Sequence, residues 1–459
     1  MIKELLGPEI QELIKAKDYS SLKDAIFDWE PTDIAELLSC LSEEDQPIFF
    51  RLLSRQKAAD VFAYLPTEQQ KQLLENLTRE NVRALLDELD PDDRTKLFEE
   101  LPAQVTQQIM NLLSPEDLKE ARKLLGYPED SVGRLMTPDF VAIRSEWTVS
   151  EALEHIRKHG KDAETINVIY VVDENGKLID DLRLRTLILA EPSEKVSSVL
   201  DHHFIALSAY DDQEEAARVM QDYDRVALPV TDSQGILLGI VTVDDILDVV
   251  QEEATEDIHK IGGMEAIDTP YLSTPLPTLV KKRARWLVLL FLGEMLTATA
   301  MGYFEEEIAR AVVLALFVPL IISSGGNSGS QAATLIVRAM ALQEVTLRDW
   351  WQVMRREILS GLSLGTILGS VGFLRIAVWQ LSFGLYGEHW LFIALTVSIA
   401  LLGVVMWGTI SGSMLPFILK RLGVDPAVSS APFVATMVDV TGLIIYFSLA
   451  ALLLRGTLL

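Results

Sequence analysis

Apolar residues recur along the first third of the chain at a fixed interval, with a leucine at every twelfth position from Leu41 to Leu113. Most of these leucines are followed within two positions by a residue that favours a helix start: Ser42, Ser54, Thr67, Thr78, Asp90 and Ser114. Pro91 and Pro115 then fall at the first helical position, where the missing N–H of proline is harmless. The pattern predicts short helices stacked into a superhelical domain, each burying its apolar face on its neighbours.

A second internal repeat, between residues 132 and 250, alternates strand patterns with helical patterns. In its latter half the pattern predicts strands at 226–232 and 237–242, joined by the turn Gln234-Gly235, and helices at 213–221 and 243–250. In its first half it predicts a helix at 149–158 and a strand at 168–172. The same order of elements therefore occurs twice, as in two small α/β domains in tandem.

Specific residues give this repeat a family resemblance. Gly235–Asp245 is similar to the strand–turn–strand segment of CBS domains, and Met136-Thr137-Pro138 is similar to their opening. The first copy departs from the CBS pattern at Asp180–Arg183, where an apolar, glycine-containing strand is usual. The resemblance implies a CBS pair that dimerises and senses a small ligand. Whether ATP binds the pair is left open.

The remainder of the chain is strongly apolar. Five segments are each long enough to span a bilayer: 286–303, 312–337, 358–380, 390–419 and 432–454. Basic residues flank the first segment at Lys281–Arg285, whereas the next connection is acidic at Glu305–Glu307. By the positive-inside rule we expect the N-terminal domains in the cytoplasm and the C-terminus outside, in the cell (inner) membrane. On the third segment Gly361, Gly365 and Gly369 predict close helix packing.

Charge separates the two halves further. The net charge is −27, and the first 280 residues hold 57 acidic against 27 basic residues. Such a negative surface disfavours nucleic acid as a partner and attracts cations. The single cysteine, Cys40, excludes internal disulfides and fits a reducing compartment. The N-terminus has no apolar signal-peptide core, so we expect the acidic half to remain in the cytosol.

Polar residues inside the apolar segments carry the candidate chemistry. Asp439 is the only charged residue in its segment, and an ionised group at membrane depth is costly and usually functional. The run Ser323–Gln331 predicts a polar break in the second segment or a tight helix crossing, and Asp439 itself could instead bond to a neighbouring helix. Glu294 and Arg375 are interpreted as helix-pairing or interfacial residues. Carboxylate, amide and carbonyl oxygens suit hard cations such as Mg²⁺. The candidate pore ligands are Asp439, Asn327, Gly326, Asp425 and Ala435.

The order of these features resembles the MgtE family of magnesium channels over nearly the whole chain. The most specific segments are Gly325–Gln331, Asp439–Gly442 and Ala254–Lys260. The resemblance implies a homodimer in a lipid bilayer, with Asp439 of each chain binding hydrated Mg²⁺. It also implies that the acidic cytosolic domains sense Mg²⁺ and close the pore. The predicted divisions are an α-superhelical N domain at 1–130, CBS domains at 131–196 and 197–252, a connecting (plug) helix at 253–280 and a five-helix membrane domain at 281–459.

Acidic residues near the end of the CBS pair form a candidate sensor. Several are spaced by three or four positions and so share one helical face, where like charges repel one another. Divalent ions bound between this face and another acidic surface would draw the two together. The candidate sensor residues are Asp90, Asp92, Asp93, Glu214, Asp224, Asp245, Asp248, Glu253, Glu256 and Asp257.

Two other functions remain open on the sequence alone. A secondary transporter of divalent cations, coupled to an ion gradient, shares the same architecture. A membrane-tethered enzyme is disfavoured because the sequence has no P-loop and no His/Cys metal cluster. Mn²⁺, Co²⁺, Ni²⁺ and Ca²⁺ are alternative cargoes.

Overall fold

The computed structural model describes residues 2–42, 44–267, 271–272 and 274–454. Within these residues the chain forms two compact units, one up to Gln251 and the other from Glu252 onward. Each unit has its own buried apolar core.

The first part of the first unit is entirely helical. Its helices are α1 Ile2–Ala16, α2 Tyr19–Ala25, α3 Pro31–Leu38, α4 Gln46–Phe50, α5 Arg55–Ala63, α6 Thr67–Asn76, α7 Arg79–Glu88, α8 Pro91–Glu100, α9 Ala103–Met110 and α10 Pro115–Leu124. From α5 to α10 every helix begins twelve residues after the previous one, which confirms the predicted helical repeat. Ser54, Thr78 and Ser114 cap their helices by accepting a backbone N–H. Thr67 does not cap α6, because Pro66 occupies the capping position.

Two small α/β domains complete the first unit. Their elements are α11 Val132–Leu135, β1 Ala142–Arg144, α12 Val149–His159, β2 Val168–Val172, β3 Leu178–Arg183, α13 Leu184–Leu189, β4 Leu207–Ser208, α14 Gln213–Asp222, β5 Ala227–Thr231, β6 Leu237–Thr242 and α15 Val243–Ile261. A 3₁₀ turn covers Val196–Ser198. In each sheet the first strand runs parallel to the second, which pairs antiparallel with the third. The predicted tandem repeat is therefore present.

The unusual sequence of β3 has a structural use. The buried carboxylate of Asp180 accepts the backbone N–H groups of Asp201 and His202, 3.1 and 2.9 Å away, so it fixes the segment between the two domains. Asp181 forms an ion pair with Arg225 of the second domain at 2.9 Å. The two carboxylates thus join the domains at the position where the usual CBS pattern is lost.

The second unit contains the last ten residues of α15 and all the strongly apolar helices. These are α16 Leu276–Tyr303, α17 Glu305–Arg310, α18 Val312–Ala315, α19 Val318–Ala341, α20 Trp350–Phe383, α21 Trp390–Arg421 and α22 Ala431–Leu453, with 3₁₀ turns at Leu347–Asp349 and Pro426–Val428. Five stretches are long and apolar enough to cross a membrane, which confirms the predicted number of spans. Helix α21 packs against α19, α20 and α22, and α16 packs against α22.

Glycines set the distances between these helices. On α20, Gly361, Gly365 and Gly369 face the backbone of α21, and a methyl group on Gly365 would lie 2.8 Å from the Cα of Leu402. The predicted small-residue ridge is therefore the contact between α20 and α21. The α19–α21 crossing is closer still, because a methyl group on Gly412 would lie 2.1 Å from the carbonyl oxygen of Gly329.

Candidate functional site

Asp439 lies in the middle of α22, where α19 passes beside it. A methyl group placed on Gly326 of α19 would lie 3.7 Å from Oδ1 of Asp439 and 3.5 Å from Cβ of Ala435. Three of the five candidate pore ligands therefore lie together. The carboxylate of Asp439 is half-buried and accepts no hydrogen bond from the described part of the chain. The alternative, a hydrogen bond from Asp439 to a neighbouring helix, is not seen among the residues that the structure describes.

The polar run beside Asp439 is helical throughout, so the predicted break in the second span is wrong. Helix α19 is continuous from Val318 to Ala341, and Pro319 lies in its first turn. Gly325 and Gly329 instead provide close contact with Gly408 and Gly412 of α21. Among the alternatives, tight helix crossing is correct because small residues allow two backbones to meet without breaking either helix.

Two further polar side chains lie on the same two helices, α19 and α22. The amide Nδ2 of Asn327 lies 3.5 Å from Oγ of Ser323, a long contact that leaves the amide available to another partner. Two residues after Asp439, the hydroxyl of Thr441 accepts the indole N–H of Trp407 at 2.8 Å. Carboxylate and amide oxygens are among the groups that a partly hydrated cation prefers.

Asp425, the remaining candidate pore ligand, lies away from this group and already has a cationic partner. Nζ of Lys260 donates to Oδ2 of Asp425 at 2.7 Å and lies 2.6 Å from Oε1 of Glu256. Oδ1 of Asp425 accepts the N–H of Ala427. Burial alone would lower the pKa of Lys260, but its hydrogen bonds to the two carboxylates raise it. The ammonium group therefore occupies the position where a metal ion could bind.

Asp257 lies beside this ion pair. Its pKa is raised by burial and by repulsion from Asp425, with Lys260 opposing the shift. Glu256, Asp257 and Asp425 thus concentrate negative charge around one ammonium group, within the second unit. Glu253, one turn earlier on α15, also belongs to this unit.

Within the first unit, the start of α8 and the start of α15 form a second acidic cluster. Burial, followed by repulsion from Asp245 and Asp90, raises the pKa of Asp93 to about 7. Asp92 has its pKa raised for the same reasons, and its Oδ1 is buried without a hydrogen-bond partner. Burial raises the pKa of Asp245 to about 6, although Thr242 donates to its Oδ2 at 2.6 Å. Four of the candidate sensor residues are thus close enough to repel one another.

Asp248 extends this cluster toward a cation, because Nζ of Lys96 lies 3.7 Å from its Oδ2. Two acids missed by the sequence reasoning also belong here. The pKa of Glu164, in the loop before β2, is raised to about 7 by burial and by Asp90 and Asp245. That of Asp139 is raised to about 6 by burial and by Glu120 and Asp90. Neither Glu164 nor Asp139 belongs to a series of acidic residues spaced three or four positions apart, so the sequence pattern did not indicate them.

The other two candidate sensor residues lie on or next to α14. Glu214 lies in its first turn, and its N–H donates to Oδ1 of Asp212. Asp224 follows the helix with φ of +49° and lines a different feature, a pocket of about 510 Å³ beside α13. Arg183, Arg185 and Arg225 also line this pocket, which makes it a basic rather than an acidic site.

Grouped metal-ligating side chains are not found in the part of the chain that the structure describes. Among the described residues, no three or more His, Cys, Asp or Glu side chains are grouped so that they could hold a metal ion.

Comparison with known proteins decides the family. A family profile described as a divalent cation transporter, MgtE, matches residues 318–449; the MgtE intracellular N domain matches 29–130, and CBS domains match 132–192 and 196–252. The chain is 42% identical to the magnesium transporter MgtE of Thermus thermophilus over 99% of its own length and 100% of the relative. The chain belongs to the MgtE family. A second magnesium transporter MgtE, from Enterococcus faecalis, is 35% identical over 74% of this chain and 73% of that relative.

Solved structures of MgtE proteins match the first unit. The cytosolic domain of the Mg²⁺ channel MgtE in complex with ATP covers 53% of this chain and is itself fully covered, with 39% identity and a TM-score of 0.51. The soluble part of a magnesium transporter gives 30% identity, 55% coverage of this chain, 100% of that structure and a TM-score of 0.53. The chain is accordingly a multi-pass membrane protein of a family of magnesium transporters, with a helical N domain and a CBS pair.

Proposed function

We propose that the protein is a Mg²⁺ channel that admits the ion to the cytosol and is closed by Mg²⁺ bound to its acidic domains. The observation that supports this most directly is the half-buried Asp439 carboxylate, which lies beside Gly326 and Ala435 and has no described hydrogen-bond donor. A carboxylate kept at membrane depth without a protein partner is suited to a cation that passes by. Mg²⁺ dehydrates reluctantly, so one carboxylate with carbonyl and amide oxygens is a suitable site.

The proposed assembly is a homodimer in the cell (inner) membrane, with the N-terminal domains cytoplasmic and the C-terminus outside. A second copy would supply a second Asp439 to the ion. The proposed domain divisions are those predicted at 130, 196, 252 and 280. The match with a relative solved with ATP, together with the basic pocket lined by Arg183, Arg185 and Arg225, supports nucleotide binding at the CBS pair.

The proposed sensor consists of the two acidic groups already described. Around Asp92, Asp93 and Asp245 the carboxylates repel one another, and around Asp425 they surround Lys260. Divalent ions would bind more tightly to the conformation that brings such carboxylates together, and binding would shift the population toward it. Closure would then require several weakly bound ions rather than one.

The test is a current recording from the purified protein in a planar bilayer, with Mg²⁺ varied on the face carrying the N-terminal domains. We expect a Mg²⁺ current that decreases as Mg²⁺ on that face rises, and almost none in Asp439→Ala. The matched control is Glu357→Gln, which removes a carboxylate from α20 that is not a neighbour of Asp439 and should conduct normally. A current that persists in Asp439→Ala would exclude this residue as the pore site.

The second candidate function is a secondary transporter of divalent cations. Five spans with a binding group at mid-membrane are compatible with this class too. Slow uptake into proteoliposomes that follows an imposed proton or sodium gradient, without current, would favour it. Flux that responds only to the Mg²⁺ gradient and voltage would exclude it.

A further inference from the structure

Arg375 is a charged residue on the membrane helix α20 that the transport mechanism does not use. Its side chain is exposed. It belongs to an exposed face of α20 whose other members are apolar: Ile367, Val371, Leu374 and Val378. Because α20 packs mainly on α21, this face is free to contact lipid. Within the described part of the chain, no carboxylate forms an ion pair with Arg375.

The spacing of charges along α20 places Arg375 at the edge of the bilayer core. Arg355 and Arg356 lie near the start of the helix, and no charged residue occurs between Glu357 and Arg375. The nineteen residues from Arg356 to Arg375 rise about 28 Å along a helix axis. The hydrocarbon core of a bilayer is about 30 Å thick, so the two arginines reach opposite headgroup layers.

Aromatic side chains hold the guanidinium of Arg375 in place. It lies 5.1 Å from the ring centre of Trp379 and 5.8 Å from that of Phe317. Its Nη1 donates to the hydroxyl of Tyr386 at 3.0 Å. Tyr386 is itself fixed, because its backbone N–H donates to Oε1 of Gln380 at 2.7 Å. A guanidinium held in this way loses little conformational freedom when it binds an anion.

We propose that Arg375, with Trp379 and Tyr386, binds the phosphodiester headgroup of an anionic phospholipid. Guanidinium groups bind phosphate through two parallel hydrogen bonds, and four N–H groups of Arg375 remain after its bond to Tyr386. The Tyr386 hydroxyl, having accepted from Arg375, still has a proton to donate to a phosphate oxygen. Trp379 lies at the level where tryptophan rings meet headgroups. The acyl chains would lie along Val371 and Leu374.

The test is native mass spectrometry of the full-length protein in detergent, titrated with phosphatidylglycerol, phosphatidylcholine or inorganic phosphate. For the wild type we expect retained phosphatidylglycerol, less phosphatidylcholine, and no displacement by millimolar phosphate. Arg375→Gln should weaken phosphatidylglycerol binding by about tenfold, the loss expected for one charge-assisted bidentate contact, and Arg375→Lys should lie between.

The matched control is Arg310→Gln. Arg310 is also an exposed arginine, on the short helix α17 that follows the first span, but it pairs with Glu306 at 3.4 Å. Its replacement should leave lipid binding unchanged. Equal phosphatidylglycerol binding by wild type and Arg375→Gln would overturn the proposal, as would displacement by inorganic phosphate, which would indicate a site for a free anion. Neither result depends on which ion the protein conducts.

Discussion

The carboxylate of Asp439 has the environment it needs because its neighbours are small. Gly326 and Ala435 leave the space beside Oδ1 free of side-chain bulk, and the described helices offer it no donor. At Gly412 the absence of a side chain has a different effect, because it allows the backbone of α21 to contact the backbone of α19. Glycine thus leaves room for an ion at one position and allows two helices to touch at the other.

The two kinds of glycine respond differently to the same added methyl group. In Gly326→Ala the new methyl would make ordinary contacts of 3.5–3.7 Å, so we expect normal stability but reduced Mg²⁺ flux, because the methyl borders the carboxylate. In Gly412→Ala it would lie 2.1 Å from a carbonyl oxygen, and overpacking of this kind costs roughly 1–3 kcal/mol or more. Thermal unfolding in detergent and proteoliposome flux check both. Two variants that melt alike would contradict this distinction.

Sequence patterns alone identify Asp439 as a candidate site residue, but they do not predict how the helices pack around it. A lone carboxylate in an apolar segment is visible in any hydropathy plot, since its desolvation cost is a property of the residue. Whether Ser323–Gln331 is a break or a crossing depends on Gly408 and Gly412, about eighty residues further along the chain. Contacts between residues that lie so far apart in the sequence do not produce a periodic pattern in it. The sequence therefore offered both alternatives, and only the structure chose between them.

Among the secondary-structure elements, α15 carries residues of both acidic groups, one near each of its ends. Its first turn carries Asp245 of the first-unit cluster, and its last turn carries Lys260. The helical pattern predicted acidic residues on one face, and the family resemblance predicted a connecting helix after residue 252. Neither predicted that one helix runs from Val243 to Ile261. From the sequence, 243–250 and the segment from 253 onward are instead expected to form separate helices.

Replacing Lys260 by methionine should loosen the end of α15. The substitution keeps the apolar stem but removes the ion pairs with Glu256 and Asp425, leaving two carboxylates and Asp257 to repel one another. For a pair that is only partly buried we expect a loss of about 1 kcal/mol, hence roughly fivefold faster amide exchange over 256–261. Hydrogen-exchange mass spectrometry measures this directly.

The control for this experiment is Arg285→Gln, which breaks the more exposed pair with Glu265. It should leave exchange over 256–261 unchanged. If Lys260→Met exchanged no faster than the wild type, the ion pair would not contribute to holding the helix end.

Over the whole molecule, the separation of charge is the dominant electrostatic feature. Nearly all the negative charge lies in the first 280 residues, whereas the remaining residues are close to neutral. In the first unit this charge is concentrated where α8 and α15 begin, so several carboxyl groups bind protons more tightly than they would in an unfolded chain.

This shift predicts a pH dependence of stability. A carboxyl group whose pKa is raised in the folded state stabilises the fold while protonated, and that contribution is lost as pH rises through the folded-state pKa. For Asp93 and Glu164, whose pKa values are both raised to about 7, the loss begins near the unfolded-state pKa of about 4 and is complete by about pH 8. In chelator, amide exchange over α8, corrected for the intrinsic effect of pH, should be slower at pH 6 than at pH 8.

Magnesium should reverse this effect at pH 8 and change little at pH 6, since ions and protons compete for the same carboxylates. The double variant Asp93→Asn, Glu164→Gln should reduce both responses. Equal exchange of the wild type at both pH values, with and without Mg²⁺, would mean that the cluster does not influence the stability of this unit.

The crossing of α19 and α21 also restricts how the membrane unit can move. Gly408 and Gly412 meet the carbonyl groups of Gly325 and Gly329 backbone to backbone, so a rotamer change at these contacts cannot absorb a displacement. If α19 and α21 slid along each other, carbonyl oxygens of one helix would collide with the backbone of the other. The two helices should therefore move together as one rigid unit. A gate built on this pair of helices would therefore open by tilting α16 and α22, the helices that pack beside it, as rigid rods.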